Sequence, residues 1–222
     1  MLNGVIGELL PAALAVALSP IPVVAVVSVL GGRGARTSGS AFACGWIAGL
    51  LAIGVAVELL VDGVSDPGDD DPGLIWWKVA IGSLFLVLAA KQWTKRPEPG
   101  ERPREPGWMA TLDGAGPVRA AALGAMLSAA NPKNLALTVT AGASIAEAGL
   151  DATGTALSLA VFAAVGSITV AGPVLFHLVA GERAARPLAG VKRFMADNDA
   201  VIKTVVLLLL GAMLLGDGLA GL

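Results

Sequence analysis

A lysine stands near the middle of an apolar stretch of this chain. The run Asn131-Pro132-Lys133-Asn134 lies within a hydrophobic segment that extends from about residue 120 to residue 142. Because a helix crosses a bilayer in about 20 residues, Lys133 falls near mid-membrane. Placing a lysine there costs about 2.5–3.5 kcal/mol on insertion scales, so its presence indicates a function. We expect Lys133 to pair with an anionic group that Asn131 and Asn134 also bind through hydrogen bonds.

Proline explains how the backbone could open at this point. Pro132 cannot donate the backbone hydrogen bond of a helix interior, and it disfavours helical geometry at Asn131. The first hydrophobic segment contains a similar break, Ser19-Pro20-Ile21-Pro22. In each break a Ser or Asn at the N-cap position precedes a proline at the first helical position, which predicts the start of a half-helix.

Two interrupted helices at matching places in two halves are a good indication of a transporter binding site. The positive end of each half-helix dipole would face that site. The predicted substrate-binding residues belong to these two breaks: Ser19, Pro20, Pro22, Asn131, Pro132, Lys133 and Asn134. Two alternatives stay open, namely a kinked helix whose polar groups bond to neighbouring carbonyls, and prolines that serve packing alone.

The composition indicates an integral membrane protein. Of the 222 residues, 55% are hydrophobic and 14% charged, and the mean hydropathy is +0.77, well beyond what a soluble domain needs. The sequence lacks a nucleophile–base pair, a glycine-rich phosphate loop and a Cys/His metal spacing, so we expect no enzyme, no cofactor and no metal site. No basic aromatic patch indicates nucleic acid. The single cysteine, Cys44, excludes an internal disulfide.

Six hydrophobic segments predict an all-α membrane protein with six transmembrane helices. A kink is expected in the fifth at Gly172-Pro173, and residues 181–198 are expected to form a charged loop with an interfacial helical turn.

The distribution of charge predicts the orientation in the membrane. The first, third and fifth loops hold or adjoin the Lys and Arg residues, whereas the second and fourth carry only acids. Both termini are therefore predicted to lie outside a plasma (inner) membrane that the chain crosses several times. The start lacks a basic region, so no cleaved signal peptide is expected. The segments cover about residues 6–30, 40–61, 74–93, 120–142, 155–179 and 200–215.

The chain divides into two halves that begin alike. Residues 1–93 form the first repeat, 94–118 a cytoplasmic linker rich in Pro, Arg and Glu, and 119–222 the second repeat. Each repeat has three helices and opens with a broken one, at Pro20 and Pro132. Because three is odd, the second half must be inverted relative to the first, which is the plan of many secondary transporters.

Two residues outside the breaks are candidates for proton coupling. His177 lies one helical turn beyond Pro173, and histidine is the side chain best suited to exchange protons near physiological pH. Glu58 lies near the outer end of the second helix and is a candidate buried carboxylate. An interfacial histidine and a snorkelling acid are the alternative interpretations. Elsewhere, the Gly45-x-x-x-Gly49 pattern predicts close helix packing and no chemistry.

These features together resemble a known family. Six helices with outward termini, Ser19-Pro20-Ile21-Pro22 in the first helix and Asn131-Pro132-Lys133-Asn134 in the fourth are similar to the lysine exporter (LysE) superfamily. Within it, the chain resembles the sulfolipid-addressing, or glycopeptidolipid-addressing, proteins of actinobacteria over nearly its whole length. The resemblance implies movement of glycolipids or lipid precursors across the plasma membrane.

Three functions therefore follow as expectations. The first is export or flipping of an anionic amphiphile, such as a glycolipid or phospholipid-like precursor, which needs a lateral opening with apolar walls. The second is export of an amino acid or other small metabolite by proton exchange, through a closed polar cavity. The third is an accessory role in a lipid-export complex, without transport and with a dry, packed motif. The expected partners are an anionic lipid or small-molecule substrate and the surrounding membrane lipids; a homodimer is one open arrangement.

Overall fold

The computed structural model describes residues 2–62, 72–94 and 115–220, and all regular structure in these ranges is helical. The predicted all-α fold is therefore confirmed for the described chain. Most of the second loop and of the 94–118 linker lies outside the described residues. A 3-10 helix covers Gly181–Ala184. The α-helices are α1 (Leu2–Ala17), α2 (Pro20–Leu30), α3 (Ala35–Asp62), α4 (Pro72–Thr94), α5 (Pro117–Ala129), α6 (Pro132–Glu147), α7 (Ala152–Gly166), α8 (Ile168–Ala180), α9 (Ala185–Asp197) and α10 (Asp199–Ala220).

Both predicted proline breaks are present. Between α1 and α2 the axis bends by 56°, and α2 begins at Pro20 after Ser19, whose backbone is extended. In the fourth segment α5 ends before Ala130, and α6 begins at Pro132 after an extended Asn131. The cause is local, because a proline without an N–H is tolerated at the first helical position and disrupts a helix interior.

The bend in the fifth segment lies elsewhere than predicted. The chain turns by 67° between Ala152–Gly166 and the helical stretch Ile168–Asp197, whereas Pro173 lies inside α8. The Ser167 N–H donates to the Ala164 carbonyl, three residues earlier, at 3.2 Å, which ends α7. The next helix, α8, begins at Ile168. The bend is therefore at Ser167 and not at Gly172-Pro173 as predicted. Pro173 lies in the interior of α8, where it removes one backbone hydrogen bond without ending the helix.

Fewer helices reach membrane length than the six predicted. In the described chain two do so alone, Ala35–Leu60 and Asp199–Gly216, and counting each bent pair as one span raises the number to four. The proline break divides the fourth segment into α5 and α6, of 13 and 16 residues, each too short by itself. Within α4, the apolar stretch Val79–Thr94 is also short.

Glycines allow two pairs of helices to touch along their backbones. A Cβ at Gly45 would meet the Ala121 carbonyl of α5, and one at Gly124 would meet the Phe42 carbonyl of α3. The close packing predicted from Gly45-x-x-x-Gly49 is therefore confirmed. In the second pair, α4 against α10, a Cβ at Gly82 would lie 2.7 Å from the Leu215 nitrogen. Apolar helices associate in a bilayer through such close packing, because the hydrophobic effect does not drive helices together in lipid.

A complete helix replaces most of the charged loop predicted at residues 181–198. Gly181 ends α8 at φ +56°, a conformation that glycine adopts without strain, and α9 follows the 3-10 helix and packs against α2. Leu188 is buried, whereas Val191 and Phe194 are exposed. Leu188, Val191 and Met195 follow the i, i+3, i+7 spacing of an amphipathic helix, so the period was present in the sequence and the loop prediction missed it.

Candidate functional site

The two helix breaks meet inside the protein. The Ser19 hydroxyl donates a 3.0 Å hydrogen bond to the Asn134 side-chain oxygen across 115 positions of sequence. Both residues are buried, and Asn134 has no exposed surface. The Asn134 amide also donates to the Leu127 carbonyl of α5, at 3.4 Å. Asn134 therefore connects the start of α2 to both halves of the broken fourth segment.

The two predicted N-caps behave differently. The Asn131 side chain accepts a 3.1 Å bond from the Lys133 N–H, so it caps α6 as expected. The Ser19 side chain does not cap α2, because its hydroxyl is turned to Asn134. Pro20 and Pro22 also remove two N–H donors from the first turn of α2. The start of α2 therefore offers a ligand fewer free backbone N–H donors than a half-helix without these prolines would.

Lys133 reaches across to the end of α1. Its ammonium donates a 2.7 Å hydrogen bond to the Ala15 carbonyl, and the Thr169 hydroxyl donates to the Ala17 carbonyl. Carbonyls in the last turn of a helix lack intrahelical partners and form the negative end of its dipole. Lys133 thus stabilises the broken end of α1, which is the structural alternative considered from the sequence.

Lys133 also borders an internal space, which we call the central cavity. Its volume is about 90 Å³, enough for several water molecules or a small polar group. Two of the predicted site residues, Pro132 and Asn134, do not line it; Asn134 is fully buried and bonded to Ser19. The central cavity is lined by Ser19, Pro20, Ile21, Pro22, Asn131, Lys133, Lys203 and Leu207.

A second lysine lines this site with a carboxylate paired to it, and neither was predicted from the sequence. Lys203, near the start of α10, lines the cavity and forms a 2.7 Å ion pair with Asp199. The other carboxylate oxygen of Asp199 is buried without a hydrogen-bond partner in the described chain. The available signal was their i, i+4 spacing at the start of an apolar segment.

The candidates for proton coupling lie apart from this site. His177, on α8, lines a different cavity with Ser28, Gly31 and Lys192. Glu58 is half-buried near the end of α3 and does not line the central cavity. Within the described residues no three His, Cys, Asp or Glu side chains are grouped to hold a metal ion.

The arrangement is a small pocket between broken apolar helices, bordered by Lys133 and by Lys203, of which Lys203 is paired with Asp199. Its remaining positive charge suits a small anionic group. No curated protein and no solved structure matches the chain. A family model described as "Sap, sulfolipid-1-addressing protein" matches residues 9–220. That match includes both helix breaks and all the residues of the central cavity. The chain therefore belongs to the Sap, or sulfolipid-1-addressing protein, family.

Proposed function

We propose that this protein moves an anionic amphiphile, such as a glycolipid or phospholipid-like precursor, across the plasma membrane. The observation that carries the proposal is the central cavity, where Lys133 and Lys203 border one space between two helix breaks. Lys203 is already paired with Asp199, whereas Lys133 meets a backbone carbonyl, and an ammonium in an apolar surrounding is costly unless it meets an anion. The family description, which names a sulfolipid, supports a lipid with an anionic head group.

In this proposal each part of the cavity has a role. Lys133 and Lys203 pair with the head group, and Asn131 contributes a hydrogen bond from its amide. Binding draws Lys133 away from the Ala15 carbonyl and Lys203 away from Asp199, so the head group replaces two existing contacts. Ile21 and Leu207 form the apolar wall along which the tails lie.

The proposed architecture has six spans in two inverted halves, α1–α4 and α5–α10, with both termini outside. The matching breaks at Pro20 and Pro132 support this plan, as does their junction at Ser19 and Asn134. The halves also differ, because the bend at Ser167 divides the fifth segment, whereas its counterpart α3 is continuous. We also place the family within the lysine exporter superfamily on the basis of these motifs.

One observation favours an accessory protein without transport. Lys133 already has a partner in the Ala15 carbonyl, and Asn134 is fully packed. Such a motif would hold a helix end in place and nothing more. A second observation favours export of a small metabolite, because the volume of about 90 Å³ suits such a molecule better than an entire lipid. Both alternatives predict no movement of lipid by the purified protein.

A flux experiment separates these functions. The protein is reconstituted in vesicles, and the transfer of fluorescent phosphatidylglycerol between leaflets is measured per folded protein by dithionite quenching. Lys133→Met keeps much of the side-chain volume and removes the charge, so we expect it to abolish transfer. Lys91→Met, which changes an exposed lysine at the end of α4, should leave transfer unchanged. Full transfer by Lys133→Met would refute the proposal, and absence of transfer in wild type would favour the alternatives.

A further inference from the structure

The broken end of α1 has carbonyls that the following sequence cannot satisfy. In a continuous helix the Val16 carbonyl would accept a hydrogen bond from the N–H of residue 20, which is a proline. The Leu18 carbonyl would accept one from residue 22, which is also a proline. Because Val16 and Ala17 are buried, donors for this end of the helix must come from other helices.

Two such donors are in place, and they come from different helices. The Lys133 ammonium, on α6, donates to the Ala15 carbonyl at 2.7 Å, and the Thr169 hydroxyl, in the first turn of α8, donates to the Ala17 carbonyl. Lys133 also lines the central cavity, whereas Thr169 does not. In the proposed function Lys133 leaves Ala15 to meet a head group, so one of the two donors is then lost.

A third donor lies beside the same end of α1 without a bond. Ser167, at the bend between α7 and α8, is 2% exposed, and its hydroxyl has no hydrogen-bond partner in the described chain. The residues on either side of it contact α1. A Cβ at Gly166 would lie 3.2 Å from the Val16 side chain, and Thr169 is bonded to the Ala17 carbonyl. Buried hydroxyls without a partner are uncommon, so this one indicates a role.

The Ser167 hydroxyl is free to turn to a new acceptor. The backbone of Ser167 is already fixed, because its N–H donates to Ala164 and its carbonyl accepts from Val170 and Ala171. Rotation about one side-chain torsion moves the hydroxyl and leaves these backbone bonds intact. No hydrogen bond has to break for the hydroxyl to take up a carbonyl of α1.

We propose that Ser167 and Thr169 form a second cap for α1, which holds its broken end when Lys133 turns to a head group. When Lys133 moves into the central cavity, the Ser167 hydroxyl donates to a carbonyl of α1 that is then free. Binding therefore leaves no buried carbonyl unsatisfied at this end. Both are positioning residues, which act through Lys133 and do not touch the head group. The link to a head group rests on the proposed function, whereas the cap itself does not.

The first test is an unfolding cycle without lipid, on the full-length protein in mixed micelles. In wild type the Ser167 hydroxyl has no partner, so we expect Ser167→Ala to leave the unfolding equilibrium constant unchanged. With Lys133→Met the same hydroxyl caps α1, and its removal should raise that constant about fivefold, within the range for bonds between membrane helices. Thr169→Val should likewise cost more with Lys133→Met than in wild type, and Thr169→Ser should restore stability.

Ser158→Ala is the matched control for this cycle. Ser158, on α7, is also fully buried, and its hydroxyl also has no partner in the part of the chain that the structure describes. It lies nine residues before Ser167, about 14 Å along a helix, so we expect Ser158→Ala to have the same effect in both backgrounds. If Ser167→Ala behaves in the same way, the second cap is overturned, and a buried water satisfies the Ser167 hydroxyl instead.

The second test is lipid binding, which needs no change at Lys133. Ser167→Ala should weaken binding of fluorescent phosphatidylglycerol about fivefold per folded protein, and Ser158→Ala should bind it as wild type does. Weaker binding with unchanged unfolding of the lipid-free protein is a combination that a merely structural serine does not give. Unchanged affinity of Ser167→Ala would overturn the link to the head group. If wild type binds no phosphatidylglycerol, the proposed function fails, and the unfolding cycle alone decides on the cap.

Discussion

The hydrogen bond between Ser19 and Asn134 makes a quantitative prediction about how the two halves are joined. Ser19→Ala removes the donor and leaves the Asn134 oxygen buried without a partner, whereas the Asn134 amide keeps the Leu127 carbonyl. Asn134→Ala removes both bonds and leaves a small void. An unsatisfied buried polar group costs about 1–3 kcal/mol. We therefore expect Ser19→Ala to lower the free energy of unfolding by about 1 kcal/mol, and Asn134→Ala by about 2–3 kcal/mol.

The coupling between the two changes isolates the bond itself. Hydrogen bonds between membrane helices average about 0.6 kcal/mol and reach about 1.7 kcal/mol in double-mutant cycles. Because this bond is fully buried, we expect a coupling in the upper part of that range. The assay is reversible unfolding of the purified protein in mixed micelles, followed by circular dichroism for wild type, both single variants and the double variant.

A matched cycle supplies the control. Ser28 and Thr140 each donate a hydrogen bond to a carbonyl four residues earlier in the same helix, at 2.8 and 3.0 Å. Ser28→Ala and Thr140→Ala should therefore add within about 0.5 kcal/mol. A coupling near zero between Ser19 and Asn134, or one no larger than in the control, would refute the junction of the two breaks.

Three further predictions concern charge, packing and topology. Asp199→Asn frees Lys203 from its ion pair and should strengthen binding of fluorescent phosphatidylglycerol up to about fivefold, given a pair worth about 0.2–1 kcal/mol; weaker binding would show that Asp199 positions Lys203. Gly124→Ala forces a Cβ onto the Phe42 carbonyl and should destabilise the protein by about 1–3 kcal/mol. Gly172→Ala, which has open space around it, should not destabilise it. Equal shifts of the thermal unfolding temperature in the two variants would contradict the packing of α3 on α5. With Cys44 replaced, a cysteine at position 65 should react with an impermeant thiol reagent from outside, and one at position 100 should not. Both positions lie outside the described residues. Reversed labelling would invert the proposed topology.

The sequence predicted the features that depend on local chemistry. Pro20 and Pro132 fix the starts of α2 and α6 because a missing N–H acts wherever the proline stands. The bend at Ser167 was not predicted. The Gly166-Ser167 pair is a kink signal, but the same pair occurs at Gly39-Ser40 and Gly82-Ser83 inside continuous helices, so it does not locate a bend. Gly166, just before it, lies against Val16 of α1, and such a contact between helices is invisible in one sequence.

The site was predicted only in part for the same reason. Lys133 was recognisable because a charge inside an apolar run is unusual. Lys203 was taken as a charge flanking a loop, and only the packing of α10 brings it to the central cavity. Ser19 bonds to Asn134 and does not cap α2, and this contact joins residues that lie 115 positions apart in the sequence. His177 was identified as a candidate, yet the residues around it belong to α2, α3 and α9, whose packing the sequence could not predict.

The most direct test of the central claim is an experimental structure of the protein with phosphatidylglycerol bound. We predict a head-group oxygen within about 3 Å of the Lys133 ammonium, with Lys203 on the opposite side and the Ala15 carbonyl released. If the lipid binds elsewhere while Lys133 keeps its bond to Ala15 and the central cavity contains no head group, the cavity is not a substrate site. Lys133 would then be a structural cap for α1.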